Sequence, residues 1–226
     1  MNIDLQNRMK QLRVKVDRAA EKANRRPDEI KILAISKGQD PTSIRNLFEL
    51  GQIDFGENYL QEALTKQKQL KDLNIKWHFV GAIQSNKTNE IAKRFSYVHT
   101  IDRVKIAARL NAHREGQKVA LNVLVQIRDN ESKKNGVTLD ESYKFFKELR
   151  NFNNLCLRGL MYFPDTGKTD QKSIYDYQKV ADLLTGIENG DTLSMGTSDD
   201  YSLAIQSGAT MIRIGRELFG ARDKIK

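Results

Sequence analysis

A lysine that ends an apolar run is a candidate for carbonyl chemistry, and Lys37 follows Ile32 to Ser36 and precedes Gly38. A strand over that run would deliver the Lys37 amine to its carboxyl end, among apolar neighbours that disfavour the charged form. An amine must be neutral to attack an aldehyde, so a lysine whose pKa is lowered by burial or a nearby cation suits Schiff-base formation. A surface lysine explains the same letters, as it does for nearly every lysine, and position alone favours that reading. A second constellation runs Ser194-Met195-Gly196-Thr197-Ser198-Asp199-Asp200 and then Arg213-Ile214-Gly215-Arg216. Gly196 permits a close backbone turn, Thr197 or Ser198 can cap a helix running through Ile205 and offer hydroxyl and N–H donors to a phosphate, and Gly215 can bring bare backbone N–H groups to an anion. Either segment alone is explained by an N-cap or a strand-ending glycine; together, on two consecutive strands, they favour an anion site.

Other signals are weaker. Asn58, which with Glu57 closes a short apolar run, can hydrogen-bond a ligand or cap the helix that follows, and the sequence leaves both open. His78 and His99 have no Cys, His or carboxylate partners at metal-ligand spacing, so no metal site is expected and each reads as a packed or hydrogen-bonded histidine. The single cysteine, Cys156, excludes an intrachain disulfide and any Cys-x-x-Cys motif, and its place in Leu155 to Leu160 predicts a buried small hydrophobe. There is no G-x-G-x-x-G, G-x-S-x-G or His-Glu-x-x-His, and no complete Walker G-x-x-x-x-G-K-[ST], since Gly167-Lys168-Thr169 has Tyr162 where the first glycine is required; this removes the main support for dinucleotide, nucleotide-hydrolase, serine-hydrolase and zinc-protease functions.

The elements that must position these residues alternate. Ile3, Leu5, Met9, Leu12 and Val16 recur at helical spacing and predict an amphipathic helix to about Asn24, ended by Arg25, Arg26 and Pro27. Beyond it, eight short apolar or β-branched runs predict strands at Lys31–Lys37, Ile53–Gly56, Lys76–Gly81, Tyr97–Ile101, Val119–Ile127, Leu155–Phe163, Thr192–Gly196 and Met211–Gly215. Helices lie between them: Asp40 as N-cap with Pro41 at the first position and Gly51 past the end, a pattern from Asp102 to Gly116, a Thr138/Glu141 capping box, and a stretch from Gln171 to about Ile187. Strict alternation implies right-handed crossovers and a parallel sheet, and eight units can close into a single (β/α)8 TIM-type barrel, with a doubly wound open sheet as runner-up. In such a barrel Lys37 ends the first strand, and the two candidate anion loops follow strands seven and eight, where barrel phosphate sites commonly lie.

At 226 residues the chain has the size of one barrel. No linker or low-complexity segment divides it, so one domain over 1–226 is expected, with the helix of residues 1–26 packed on it. The formal net charge is +9, but basic residues are spread and mixed with acids, as in Lys144 to Arg150, which reads as a solvated surface; nucleic acid is not an expected partner. Met1 to Arg26 carries charge throughout and has no apolar stretch for a signal peptide or membrane span, so a cytoplasmic protein without a membrane partner is expected.

Six ordered segments carry a resemblance: Leu33-Ala34-Ile35-Ser36-Lys37; Phe55-Gly56-Glu57-Asn58-Tyr59; Trp77-His78-Phe79-Val80-Gly81 with Gln84-Ser85-Asn86-Lys87; Gly159-Leu160-Met161; Ser194-Met195-Gly196 with Ser198-Asp199-Asp200; and Arg213-Ile214-Gly215 with Phe219-Gly220. Through them the chain resembles, over almost its whole length, the pyridoxal phosphate homeostasis proteins, also called the YggS or proline-synthetase-co-transcribed family. The resemblance implies a barrel like the N-terminal domain of alanine racemase, with pyridoxal 5′-phosphate (PLP) held as a Schiff base on Lys37. It also implies that Ser198 and the Gly215-Arg216 backbone cradle the phosphate with Ser194 nearby, that Arg213 faces the pyridine nitrogen, and that Asn58 lies near the ring. A cation facing that nitrogen disfavours its proton and weakens carbanion stabilisation, and the second acid/base of alanine racemase comes from a second domain, to which the resemblance does not extend. The implied function is a PLP carrier in vitamin B6 homeostasis without committed catalysis, monomeric, passing PLP to PLP-dependent apoenzymes; a weak PLP-dependent amino-acid racemase is the alternative. Arg216 departs from the Ser or Thr of many relatives and Ala82 from a common proline, while Glu131 to Gly136 resembles a further family segment whose Lys133 or Lys134 borders the site.

Overall fold

A computed structural model of the chain describes residues 3–165 and 170–220. Its strands are β1 (Lys31–Ile35), β2 (Asp54–Glu57), β3 (Lys76–Phe79), β4 (Tyr97–Ile101), β5 (Leu121–Arg128), β6 (Val137–Thr138), β7 (Leu155–Tyr162), β8 (Thr192–Thr197) and β9 (Met211–Ile214). Eight of these close a parallel barrel: β1 pairs with β2 and β9, β4 pairs with β5, and β5 with β7. All eight predicted runs become barrel strands, with ends that differ by a few residues. The two-residue β6, which extends the carboxyl end of β5 through Ile127 and Arg128, is too short to leave a sequence pattern.

Two apolar layers follow from the two-residue alternation of strand side chains. Outward residues such as Phe55, Val98, Val123 and Ile212 join the large core shared with the helices. Leu33, Val80 and Met211, with Ile35 against them, form a separate small cluster inside the barrel. The same alternation puts Lys37 two residues beyond Ile35, and Arg213 two beyond Met211, on the inward face.

Asp40 caps the helix Pro41–Glu49 by accepting from Thr42 N at 2.7 Å, and Gly51 takes φ +92°. Elsewhere the caps shift. The helix expected from Asp102 is Val104–Arg114 with Arg103 at the cap position, because the Asp102 carboxylate is held by Arg103 Nε. Thr138 and Glu141 do bond each other, yet the helix, Ser142–Leu149, starts only after Glu141. The stretch from Gln171 to Ile187 divides into an α-helix, Asp170–Asp182, and a 3₁₀ turn, Leu183–Gly186. Cys156 is half-buried rather than buried, since the first four residues of β7 are only partly covered. The first helix, Ile3–Lys22, buries Leu5, Leu12, Val16 and Ala20 and packs on the helices Tyr201–Gln206 and Arg216–Phe219. Lys15 reaches Glu217 at 2.5 Å, and Arg25 donates to the carbonyls of Ile205 and Ala209. That helix therefore braces the segments after β8 and β9 from behind. Among the described residues no helix is long and apolar enough to cross a membrane.

Candidate functional site

Lys37 leaves β1 half-buried at the carboxyl end of the barrel, between two clamped neighbours. The buried Ser36 hydroxyl donates to Glu57 Oε1 at 2.7 Å. Lys66, on the helix Leu60–Gln69, donates to the Ser36 carbonyl at 2.6 Å, to Glu57 Oε1 at 2.7 Å and to Glu62 Oε1 at 2.6 Å. Glu62 Oε1 accepts in turn from Gly38 N at 2.5 Å. Lys66 is only 4% exposed and Glu57 wholly buried. Burial holds the Glu57 carboxyl above the usual carboxylate range, with the Lys66 cation and the Ser36 hydroxyl pulling it back. The backbone on both sides of Lys37 is thereby fixed by one buried ion cluster.

Lys37, Asn58, Ser198, Arg213, Gly215 and Arg216 line a single cleft of about 200 Å³. Through Asn58, Val80, Phe163, Thr197 and Asp199 this cleft is continuous with a wider mouth of about 910 Å³, which Lys133 and Lys134 border. Of the sequence-predicted residues, Ser194 stands apart. It is fully buried and lies behind Arg213, whose Nη1 donates to its hydroxyl at 2.9 Å and also to its carbonyl. Asn58 does not cap the following helix, whose cap position is Tyr59 without a side-chain bond. Arg216 is exposed and donates to both carboxylate oxygens of Asp199, at 3.0 and 2.8 Å. A Cβ at Gly215 would meet only Ile35, at 3.5 Å or beyond; packing does not demand a glycine there, and the bare backbone borders the cleft.

Arg213 is the most constrained group of the site. Its Nη2 donates to the Tyr162 carbonyl at 2.9 Å, and the guanidinium lies 3.9 Å from the centre of the Phe163 ring. Burial pushes its pKa down to about 10, opposed by Tyr177 and Asp200, so it remains a cation at neutral pH. Among the described residues the buried side-chain polar atoms without a partner are Arg213 Nε, Asn58 Oδ1 and Glu57 Oε2. The first two belong to residues of the cleft. A buried donor or acceptor left unmade costs about 1–3 kcal/mol, and a ligand carrying complementary polar atoms would relieve it.

The loop after β8 is shaped by Asp200, not by a cap at Thr197 or Ser198. Asp200 Oδ1 accepts from Thr197 N at 2.6 Å and Thr197 Oγ1 at 3.0 Å, while Tyr177 donates to Oδ2 at 2.6 Å. The helix starts only at Tyr201, because Asp200 turns back toward the strand. Gly196, at φ +85°, is required: a Cβ would lie 2.7 Å from the Ala204 Cβ and 2.8 Å from the Tyr201 Cα. Ser198 is left on the stretch between these anchors, at the cleft wall.

Below the site the barrel interior is polar. His99 Nδ1 lies 3.1 Å from Ser194 Oγ, His99 Nε2 lies 2.9 Å from His78 Nδ1, and His78 Nε2 lies 3.0 Å from Asp54 Oδ1. Both histidines are thus packed and hydrogen-bonded, as expected, and among the described residues no group is placed to hold a metal. Burial pushes both imidazoles below the ordinary histidine pKa. The Asp54 carboxylate opposes this for His78, whereas His78 and Arg213 reinforce it for His99. Unfolded, each histidine takes a proton near pH 6.5; folded, it stays neutral to lower pH. Stability is therefore full above about pH 6.5 and is expected to fall below it, by at most about 1.4 kcal/mol per pH unit for each histidine while it stays neutral. Urea midpoints from neutral pH down to about pH 5 should show this slope, and His99→Asn should flatten it. Equal slopes in the two proteins would contradict two neutral imidazoles.

Sequence reasoning did not find the Lys66–Glu57 cluster or Phe163. The Glu62/Lys66 spacing of four was visible, but it is common on exposed helices, and only burial sets this pair apart.

The chain matches the family described as "Alanine racemase, N-terminal domain" over residues 8–223. It is 43% identical over 211 residues to a pyridoxal phosphate homeostasis protein of Pseudomonas aeruginosa, covering 92% of each chain. The solved structure of PipY from Synechococcus elongatus with PLP bound superposes with a TM-score of 0.83 at 28% identity, over 96% of this chain and 100% of that one. Alanine racemase from Corynebacterium glutamicum shares the fold, with a TM-score of 0.69 at 16% identity over 98% of this chain and 64% of the racemase.

Proposed function

The chain belongs to the alanine racemase N-terminal domain family and, within it, to the pyridoxal phosphate homeostasis proteins, and from that membership we propose that it binds PLP, with Lys37 as the covalent anchor, and takes part in keeping the intracellular PLP pool balanced. The observation that carries this reading is the meeting, in one cleft, of Lys37 with Arg213 Nε, a buried N–H donor that has no partner among the described residues.

The residues fit the group. Lys37 would hold PLP covalently through its side-chain amine. Ser198 and the backbone of Gly215 and Arg216 would hold the phosphate. Arg213 would face the pyridine nitrogen, and Asn58, whose amide oxygen is likewise unpartnered, would lie near the ring. When bound, PLP supplies an aldehyde and a ring that draws electrons strongly only when its nitrogen is protonated. Arg213, a buried cation, disfavours a proton there. That arrangement would hold PLP without activating it, which supports the reading of a carrier that does not catalyse a committed reaction. We further propose a single domain over 1–226 acting as a cytoplasmic monomer, with PLP-dependent apoenzymes as recipients.

The test is a visible absorption spectrum of the PLP-loaded protein before and after borohydride, with mapping of the modified peptide, followed by incubation with L-amino acids. The expected results are a visible band lost on reduction, the label on the peptide containing Lys37, and no amino-acid turnover. Rapid conversion of any L-amino acid to its D-form would replace the carrier reading with the racemase one.

A further inference from the structure

The barrel interior contains five polar groups in a row, from the mouth to the opposite end. Arg213, Ser194, His99, His78 and Asp54 come from β9, β8, β4, β3 and β2, and consecutive members lie 2.9, 3.1, 2.9 and 3.0 Å apart. We infer that Asp54, His78, His99 and Ser194 form a one-way hydrogen-bond relay that positions Arg213 toward the ring nitrogen of bound PLP. This inference rests on the PLP reading of the cleft and adds positioning residues to it.

The direction follows from donor and acceptor chemistry. A guanidinium has no acceptor, so Arg213 Nη1 must donate to Ser194 Oγ. If the serine hydroxyl then donates to His99 Nδ1, the neutral His99 carries its proton on Nε2 and donates to His78 Nδ1. His78 in turn carries its proton on Nε2 and donates to the Asp54 carboxylate, so every bond is made. In the opposite arrangement Ser194 accepts from both Arg213 and His99, and His78 Nε2 presents a lone pair to an Asp54 oxygen. That contact is repulsive unless Asp54 holds a proton. The surroundings favour an ionised Asp54: burial raises its carboxyl, but the bond to His78 lowers it most, and independently of that bond the Lys76 and Lys31 cations lie near it and act in the same direction. The other groups facing the histidines are Tyr97, stacked on His78 with centroids 4.5 Å apart, and Arg213. Neither supplies an acceptor that would reverse the chain.

The consequence lies at the mouth. Hydrogen bonds in series polarise one another, so an anion at Asp54 makes Ser194 Oγ a better acceptor for Arg213. With Nη1 donating to Ser194 and Nη2 to the Tyr162 carbonyl, Nε is the one guanidinium nitrogen without a partner among the described residues. The relay thus orients the guanidinium and leaves that donor for the ligand.

Two experiments decide it. In the full-length protein without PLP, nitrogen-15 NMR of labelled histidine should show His78 and His99 both neutral and protonated on Nε2 at neutral pH; an Nδ1–H form at either would overturn the relay. In the PLP-loaded protein, His99→Leu should release PLP to a scavenging apoenzyme about tenfold faster, the upper end for one lost hydrogen bond between neutral groups. His99→Gln, whose amide supplies one acceptor and one donor, should stay within about twofold of the wild type. Asp54→Asn, four hydrogen bonds from Arg213, should shift the pH at which the visible band changes. Release rates and band titrations equal to wild type in His99→Leu and Asp54→Asn would overturn the inference. If the wild-type protein does not load PLP, the cofactor reading fails instead, and the tautomers still decide the relay.

Discussion

Lys37→Ala is expected to abolish the visible band of the PLP-loaded protein and its borohydride-fixed label while leaving the fold intact. Lys37 is half-buried beyond the end of β1, so its truncation opens no core cavity, and stability should change by no more than about 0.5 kcal/mol. Residual binding through Ser198, Gly215 and Arg216 should persist, weakened roughly a hundredfold or more, about 2.7 kcal/mol. Absorbance spectra and equilibrium dialysis of PLP against the two proteins check both parts. A surviving band would move the anchor to another lysine. Lys66 is a poor substitute, because it is 4% exposed and already gives its ammonium protons to Ser36, Glu57 and Glu62. A lysine of the wider mouth, Lys133 or Lys134, would then be the one to map.

The second large effect is on stability. Lys66→Met is expected to cost about 3–5 kcal/mol, the range for removing one partner of a buried ion pair. The variant leaves the wholly buried Glu57 carboxylate without its cation and releases the Ser36 carbonyl and Glu62. The loss has a pH signature. Glu57 is already held above its usual pKa by burial, and Lys66 is the main group that opposes this, with Ser36 adding to it. Without Lys66 the folded pKa rises further. A carboxyl whose folded pKa exceeds its unfolded value stabilises fully below the unfolded value, near pH 4.3, and that stability disappears as pH rises through the folded one. The deficit of Lys66→Met should therefore be smallest at acid pH and grow toward neutral pH. Adding Glu57→Gln should recover most of it at neutral pH, since the buried charge is gone and Ser36 retains an acceptor. Denaturant unfolding of the three proteins at two pH values is the measurement; a double variant no more stable than Lys66→Met would show that the cost comes from packing and not from the stranded charge. Because this cluster holds the backbone on either side of Lys37, the single variant should also load PLP more weakly.

Much of the barrel and most of the cleft were legible in the chain because they depend on local periodicity. Short apolar runs between amphipathic stretches identify eight strands, and alternation along Leu33, Ile35 and Lys37 puts the amine on the inward face. Gly196, Ser198, Arg213 and Gly215 follow from their places at the ends of the last two strands. What the sequence could not decide depends on which distant residues a closed sheet brings together. Nothing in the spacing of Asp54, His78, His99, Ser194 and Arg213 shows that they touch; their contacts require the register in which Gly56 faces His78 and Leu33 faces Arg213. The same holds for Lys66 beneath Ser36, for Asp200 turning back to Thr197 in place of a cap at Ser198, and for Arg216 paired with Asp199. Periodicity records which face a residue occupies, whereas the partner it meets on that face is fixed only when the strands close around a common interior.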